Sequence, residues 1–249
     1  MKVPLRKVIV FVLVALAVVF AGPAAGQTSD DGVRISGRVT DFKDQPIDGA
    51  SVELKDARFE TVARTVSDKD GRYALVAKKG AYTALLAVKD YQIRFLEYWA
   101  WSVPADRDLE INPRFDRLEV YAVNAWRPQG GYPSYQIYFR PMSLTKIGAK
   151  ITEAGGMENF QKLPHMDIAP ELAARDIAVT IDGQAVKILE VNKVREAAGP
   201  DQDMIGYVIQ TDLPAKEAEG NYSLITIAVK DPETGDAGEG AVFYRRVRF

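Results

Sequence analysis

The stretch "SDKDGRYAL", Ser67–Leu75, lies between the alternating runs "ETVARTV" and "RYALVA" and poses a choice. Its acids could cradle a cation, or the segment could only reverse the chain between two strands. A calcium-type site asks for roughly six to eight oxygen ligands, and an EF-hand-like loop needs a further acid after its glycine. Arg72 and Tyr73 follow Gly71 instead. The expectation is therefore a structural turn made by Asp68, Asp70 and Gly71, in which glycine takes positive φ without steric cost and Asp70 caps the turn with its own carboxylate. No metal site is expected.

Working outward, the chain from Gly32 to about Arg114 reads as short strands broken by turn residues, the pattern of an antiparallel sandwich. Val33, Ile35, Gly37 and Val39 fall on one face, and Arg34, Ser36 and Arg38 on the other. The same alternation recurs at Ala50, Val52 and Leu54, at Tyr73, Leu75 and Ala77, and at Tyr82, Ala84, Leu86 and Val88. Between the first two series, "DFKDQPIDG" carries Pro46 and Gly49, which punctuate a connection.

The segments "ISGRVTDFKDQPIDGASVELKD" and "TVARTVSDKDGRYAL" together resemble a carboxypeptidase regulatory-like domain, a transthyretin-like β-sandwich. Gly37, Val39, Pro46, Gly49, Ala50, Val52, Thr65, Asp68, Gly71 and Tyr73 match its pattern in order, with Ser67 where that family more often has Thr. The resemblance covers Val33 to about Tyr91. It implies a non-catalytic accessory module of the kind found beside exported peptidases, outer-membrane transporters and glycan-handling proteins.

In "DYQIRFLEYWAWSVP", Asp90–Pro104, alternation puts Ile93, Phe95, Trp99, Trp101 and Val103 on one face, yet Leu96, Tyr98 and Ala100 make the other apolar too. Such a strand must be covered on both sides. The following domain, a partner protein and a stacked sugar ring are the three candidate covers. All three tryptophans, Trp99, Trp101 and Trp126, fall close together in the chain, and "NAWRPQGGYPSY" adds Tyr132 and Tyr135 around a Gly130-Gly131 loop. Those five rings are the candidate binding residues, with Asn124, Arg127 and Gln129 as polar handles, because flat rings stack on the apolar face of a pyranose. The plainer alternative is that they fill an interface between two sandwiches.

A second alternating series runs from Arg117 to the carboxyl end, with Asp182-Gly183 as a two-residue hairpin turn, and predicts an immunoglobulin-like sandwich over 115–249. Alternation fails between Ile147 and Arg175, where a long irregular connection with short helical turns at "MENFQKL" and "APELAAR" is expected.

At the amino end, Lys2, Arg6 and Lys7 precede the apolar run "VIVFVLVALAVVFA" and the small residues "GPAAG", the three-part pattern of a secretory signal over residues 1–26 cleaved before Gln27. Residues 27–32 are then a short leader and 33–114 the first sandwich. The apolar run is shorter than the roughly 18 to 20 residues of a spanning helix, so no membrane span is expected in the mature chain. Cys is absent, which removes disulfides, thiol chemistry and a lipid-modified terminus. With 32 Lys+Arg against 34 Asp+Glu, nothing in the charge balance suggests nucleic acid.

Catalytic patterns are missing. His165 is the only histidine, and no Gly-rich phosphate loop, Gly-x-Ser-x-Gly or His-Glu-x-x-His occurs. The sequence predicts an all-β chain of two antiparallel β-sandwich domains in tandem after a signal peptide. Its expected role is that of an exported, non-catalytic accessory or adaptor protein, periplasmic or secreted, without cofactor, that binds a protein partner in the cell envelope. A carbohydrate-binding module with an aromatic platform and a hydrolase using paired carboxylates are the two alternatives.

Overall fold

A computed structural model describes residues 32–246. The expected leader, residues 1–26, and all but the last residue of the 27–32 segment lie outside the described residues. Seven strands come first: β1 (Gly32–Arg38), β2 (Ser51–Lys55), β3 (Thr61–Val66), β4 (Arg72–Lys78), β5 (Gly80–Val88), β6 (Tyr98–Ala105) and β7 (Leu109–Glu110). Then follow β8 (Leu118–Trp126), β9 (Ser134–Ser143), helix α1 (Leu144–Glu153), the single-turn α2 (Met157–Phe160), β10 (His165–Met166) and a 3-10 turn at Ala174–Asp176. The remaining strands are β11 (Ile177–Ile181), β12 (Gln184–Val186), β13 (Ile188–Gly199), β14 (Gln202–Asp212), β15 (Tyr222–Lys230) and β16 (Ala237–Arg245). The protein is all-β.

Its sheets form two sandwich-like cores that share one continuous layer. An eight-stranded sheet runs β12-β11-β15-β16-β6-β5-β2-β3. The three-stranded sheet β4-β1-β7 closes one half of it over Val33, Ile35, Val52, Leu54, Leu75, Leu85 and Ala100. The sheet β10-β14-β9-β8, with β13 on β14, closes the other half over Leu118, Val120, Ile137, Phe139, Ile209, Ile225 and Ile227. Most pairings are antiparallel, but β1–β7, β10–β14 and β16–β6 are parallel.

The seam between the cores is the β16–β6 pair. On β16, Ala241 and Phe243 enter the first core while Val242 enters the second, so period two serves two interiors from one strand. That is why "GAVFY" is apolar on both faces. β8 crosses β16 so closely that a Cβ on Gly238 or Gly240 would lie inside any permitted contact distance of the Leu118 and Val120 carbonyl oxygens. Glu239, between those glycines, points the other way and meets the Arg114 guanidinium at 2.7 Å.

The opening stretch is a turn. The Asp68 carboxylate accepts the backbone N–H groups of Asp70 at 2.9 Å and Arg72 at 2.8 Å, and Gly71 has φ +76°. The capping carboxylate is thus Asp68, not Asp70, because from the start of the turn its side chain reaches the amides two and four residues on. Asp182 and Gly183 both take positive φ, 51° and 77°, as a type I′ hairpin requires, and join β11 to β12.

Two regions depart from the strand pattern. The face assigned to Ile93, Phe95, Trp99, Trp101 and Val103 does not persist: Ile93 lies exposed in a turn before β6, and Phe95 belongs to the first core. Ser102 has φ +56°, and beyond it Val103 and Ala105 join Tyr98 and Ala100 in that core. β5 keeps its register against β6 through this point, with Tyr82 opposite Val103 and Ala84 opposite Trp101, so no residue is inserted and the alternation reverses at the positive-φ Ser102. The connection expected to be irregular from about 147 opens with α1, whose Ser143 cap accepts the Lys146 N–H at 3.1 Å. Ile147 and Ile151 on that helix pack against a small cluster of Phe160, Ile168 and Met204. Asp236, 4% exposed, fixes the same helix end, accepting from the Ser143 hydroxyl at 2.7 Å, the Thr145 N–H at 2.9 Å and Arg117 Nε at 3.2 Å. "MENFQKL" does hold a helical turn, and "APELAAR" only the start of the 3-10 turn.

Candidate functional site

The seam has a sealed side and an open side. On the sealed side, Trp99 of β6 projects from the outer face of the shared sheet with Ala84 and Leu86. Its ring lies 5.6 Å from Phe59 and 5.3 Å from Trp101, near-parallel to both, while Tyr121 of β8 meets both tryptophans edge-on. The second face of β6 is therefore covered from within the chain.

Two carboxyls lie beneath those rings. Trp99 Nε1 donates to Glu119 Oε1 at 3.1 Å and to Glu97 Oε2 at 3.2 Å. Glu119 is 2% exposed, and its other oxygen has no hydrogen-bond partner among the described residues. Burial, reinforced by the neighbouring Glu97, holds the Glu119 carboxyl well above the usual carboxylate range. Burial likewise pushes half-buried Glu97 up to about 7, against the opposing pull of Trp99 and Lys55. Near neutral pH at least one of the pair keeps its proton. Glu119 is sealed under indole, and Glu97 is tied to the same Trp99 N–H.

On the open side, β6 and β16 pair only from Trp99 to Trp101, and then part. A bulge at Ala122, φ +53°, shifts the register of β8 against β9 between Tyr121 and Asn124. Past Ser102 and Ala122 the strands leave a groove of about 630 Å³ whose lining includes the aromatic residues Tyr82, Trp101, Tyr222 and Tyr244, together with Phe243, whose ring packs into the first core. Thr83, Ser102, Asn124 and Arg245 supply polar groups, and no carboxylate is among its lining residues.

The five candidate rings divide three ways. Trp99, 5% exposed, is a packing residue; Trp101 is half-buried and belongs to both the sealed cluster and the groove. Tyr135, 1% exposed, lies within the second core, edge-on to Tyr244 at 5.1 Å. Trp126 and Tyr132 are open, 44% and 63% exposed, with Tyr132 Oη donating to Asp212 Oδ1 at 3.1 Å and Arg127 paired to Glu217 at 3.0 Å. Among the described residues no ring contact joins Trp126 or Tyr132 to the sealed cluster, so the five do not make one platform. Asn124, expected as a polar handle, lines the groove, whereas Tyr82, Tyr222 and Tyr244 were not legible as groove residues. Positive φ at Ser102 and Ala122 has no sequence signal, since neither is glycine or asparagine.

His165 sits on β10 beside β14 and pairs through Nδ1 with Asp203. Among the described residues no group of three His, Cys, Asp or Glu could hold a metal ion, and no helix is long and apolar enough to cross a membrane.

Residues 34–109 match the family described as carboxypeptidase regulatory-like domain. That segment is the first sandwich apart from its β6 and β16 contacts to the second. No curated protein matches the chain. Among solved structures it is similar to a DUF3823 family protein from Bacteroides ovatus, with 8% identity, 85% of this chain and 98% of that one covered, and a TM-score of 0.28. It is also similar to BcpA, the major pilin subunit of Bacillus cereus, with 12% identity, coverage of 85% and 69%, and a TM-score of 0.28. A protein from Bacteroides uniformis named for carbohydrate binding has 10% identity, coverage of 86% and 99%, and a TM-score of 0.28. Likenesses this distant carry no statement about ligand.

Proposed function

We propose that the protein is an exported accessory protein of the bacterial cell envelope that acts by binding, and that the groove at the seam takes a saccharide. The observation that carries this is the groove's lining: aromatic rings for the apolar face of a pyranose, an amide and a guanidinium for its hydroxyls, and no carboxylate to act as acid or base. The burial of Glu119 beneath Trp99, with Glu97 tied to the same N–H, supports binding over hydrolysis by paired carboxylates. The exposed pair Trp126 and Tyr132 favours a second reading, a protein partner docked beside the groove.

Retention of the mature chain on a panel of insoluble polysaccharides tests both. Loss of retention in Asn124→Ala and in Trp101→Phe, with Trp126→Ala unaffected, is the expected result. The reverse pattern moves the saccharide to the exposed loop. Failure on every polysaccharide, with an envelope protein co-purifying in a Trp126-dependent way, favours the partner reading. Amino-terminal sequencing of protein from the envelope fraction should begin at Gln27, and an intact leader would count against export.

A further inference from the structure

The outer face of the three-stranded sheet β4-β1-β7 carries a second hollow, of about 620 Å³, lined by different strands from the groove. Arg34, Ser36 and Arg38 project from β1 into it, Arg72 from β4, and Glu110 and Asn112 from the β7 side. Three guanidiniums face one carboxylate in a chain whose formal charge is −2.

The register makes this arrangement costly. Arg38 is the direct cross-strand partner of Arg72, and like charges placed opposite each other destabilise a sheet. Carboxylates lie nearby, but they are engaged with backbone: Asp68 accepts the Arg72 N–H and Asp108 the Arg34 N–H, each at 2.8 Å, and neither makes an ion pair with a guanidinium of the group. Arg38 Nε donates to the Asp70 carbonyl at 2.9 Å, and among the described residues the Arg34 and Arg72 side chains have no ion pair. Elsewhere Arg114, Arg117 and Arg140 each meet a carboxylate at 2.6 to 3.2 Å. Glu110 is turned to the Asn112 amide, which donates to it at 3.0 Å. Asn112 Oδ1 in turn accepts the Arg38 backbone N–H at 2.8 Å, which pins the strand beneath the guanidinium.

The geometry points to an oxyanion-binding site built by Arg38 and Arg72, extended by Arg34, that takes an acidic polysaccharide. Paired guanidiniums offer parallel N–H donors matched to carboxylate oxygens. Arg34 lies four residues along the same strand, roughly 13 Å away at about 3.3 Å per residue, so a single small anion reaches one end only and a chain bearing repeated carboxylates reaches both. Nucleic acid fits less well, because the one aromatic ring in the lining, Tyr73, is buried and its hydroxyl donates to the Ile111 carbonyl, leaving nothing on which a base could stack. This site is independent of the groove at the seam.

Titration of the mature chain with a galacturonate oligomer in about 20 mM and then about 150 mM salt tests the proposal, since binding through ion pairs weakens as salt rises. Binding should be lost about 10-fold or more in Arg72→Ala and about 3-fold in Arg34→Ala, be partly retained in Arg72→Lys, and compete only weakly with inorganic phosphate. Arg72→Ala should have a Tm equal to or above that of the parent protein, because it removes the like-charge pair. No binding at low salt, binding unchanged in both alanine variants, or a single-stranded oligonucleotide bound as tightly as the galacturonate would each overturn it.

Discussion

On the two sides of Trp101, the same pair of strands is packed in one direction and open in the other. Toward Trp99, β6 is hydrogen-bonded to β16, capped by Tyr121 and Phe59, and holds two carboxyls against one indole nitrogen. Beyond Ser102 the strands part, and the rings that follow line a groove instead of a core. Composition does not separate the sides, since both are aromatic. What separates them is backbone: positive φ at Ser102 and a bulge at Ala122 reverse which side chains face inward, and bulges are where sheets re-aim side chains toward ligands.

The harshest way to break the contrast is Gly240→Val. Its Cβ would meet the Val120 carbonyl and force β8 off β16, removing the wall common to both sides. A loss above about 4 kcal/mol, read as failure to fold cooperatively in urea, is expected. A mild effect would show that β8 and β16 are less tightly crossed than described.

Asp236→Ala comes next. It strips a buried carboxylate from Ser143, Thr145 and Arg117 at the near end of β16, for an expected loss of about 2–4 kcal/mol by denaturant titration.

The sealed side also predicts a pH dependence. Glu97 titrates at about 7 when folded against an ordinary 4.5, so between those values the folded chain holds a proton that the unfolded chain has released. Stability from this source is full below about 4.5 and falls as pH rises to about 7. Glu97→Gln removes that titration. Allowing for its partial exposure, the variant should gain about 1–3 kcal/mol over the parent between pH 5 and pH 8. An unchanged difference across that range would place Glu97 in ordinary solvent.

The smallest effects belong to the exposed side chains. Trp126→Phe and Asn124→Ala should each alter stability by less than about 0.5 kcal/mol. Iodide should quench the Trp126 fraction of the fluorescence freely and the Trp99 fraction hardly at all. Equal quenching of the two would erase the distinction between packed and exposed rings.

Much of this was readable from residues. Ile35, Val52, Leu54 and Leu75 alternate cleanly and occupy the first core. Asp182-Gly183 needed only its own steric preferences to make a hairpin turn. α1 left a readable trace that strand periodicity obscured: Ser143 before the run, then Leu144, Ile147 and Ile151 at helical spacing. Glu97 and Glu119 gave no sign of their pairing, because twenty-two residues and a change of sheet separate them in the chain. Arg38 and Arg72 looked like ordinary outward residues until register set them opposite each other.

The sequence by itself determined the all-β class, the positions of the tight turns and the core faces of β1, β2 and β4. Those follow from local rules, in which period two decides a strand's faces and glycine or aspartate decides where the chain can reverse. Only the tertiary structure decided that the two cores share a sheet, which tryptophans are covered, and where a groove opens. These depend on one strand feeding two interiors, on Gly238 and Gly240 admitting a crossing backbone, and on positive φ at Ser102 and Ala122. A residue at such a contact is chosen by what lies across from it, and its sequence neighbours carry no record of that.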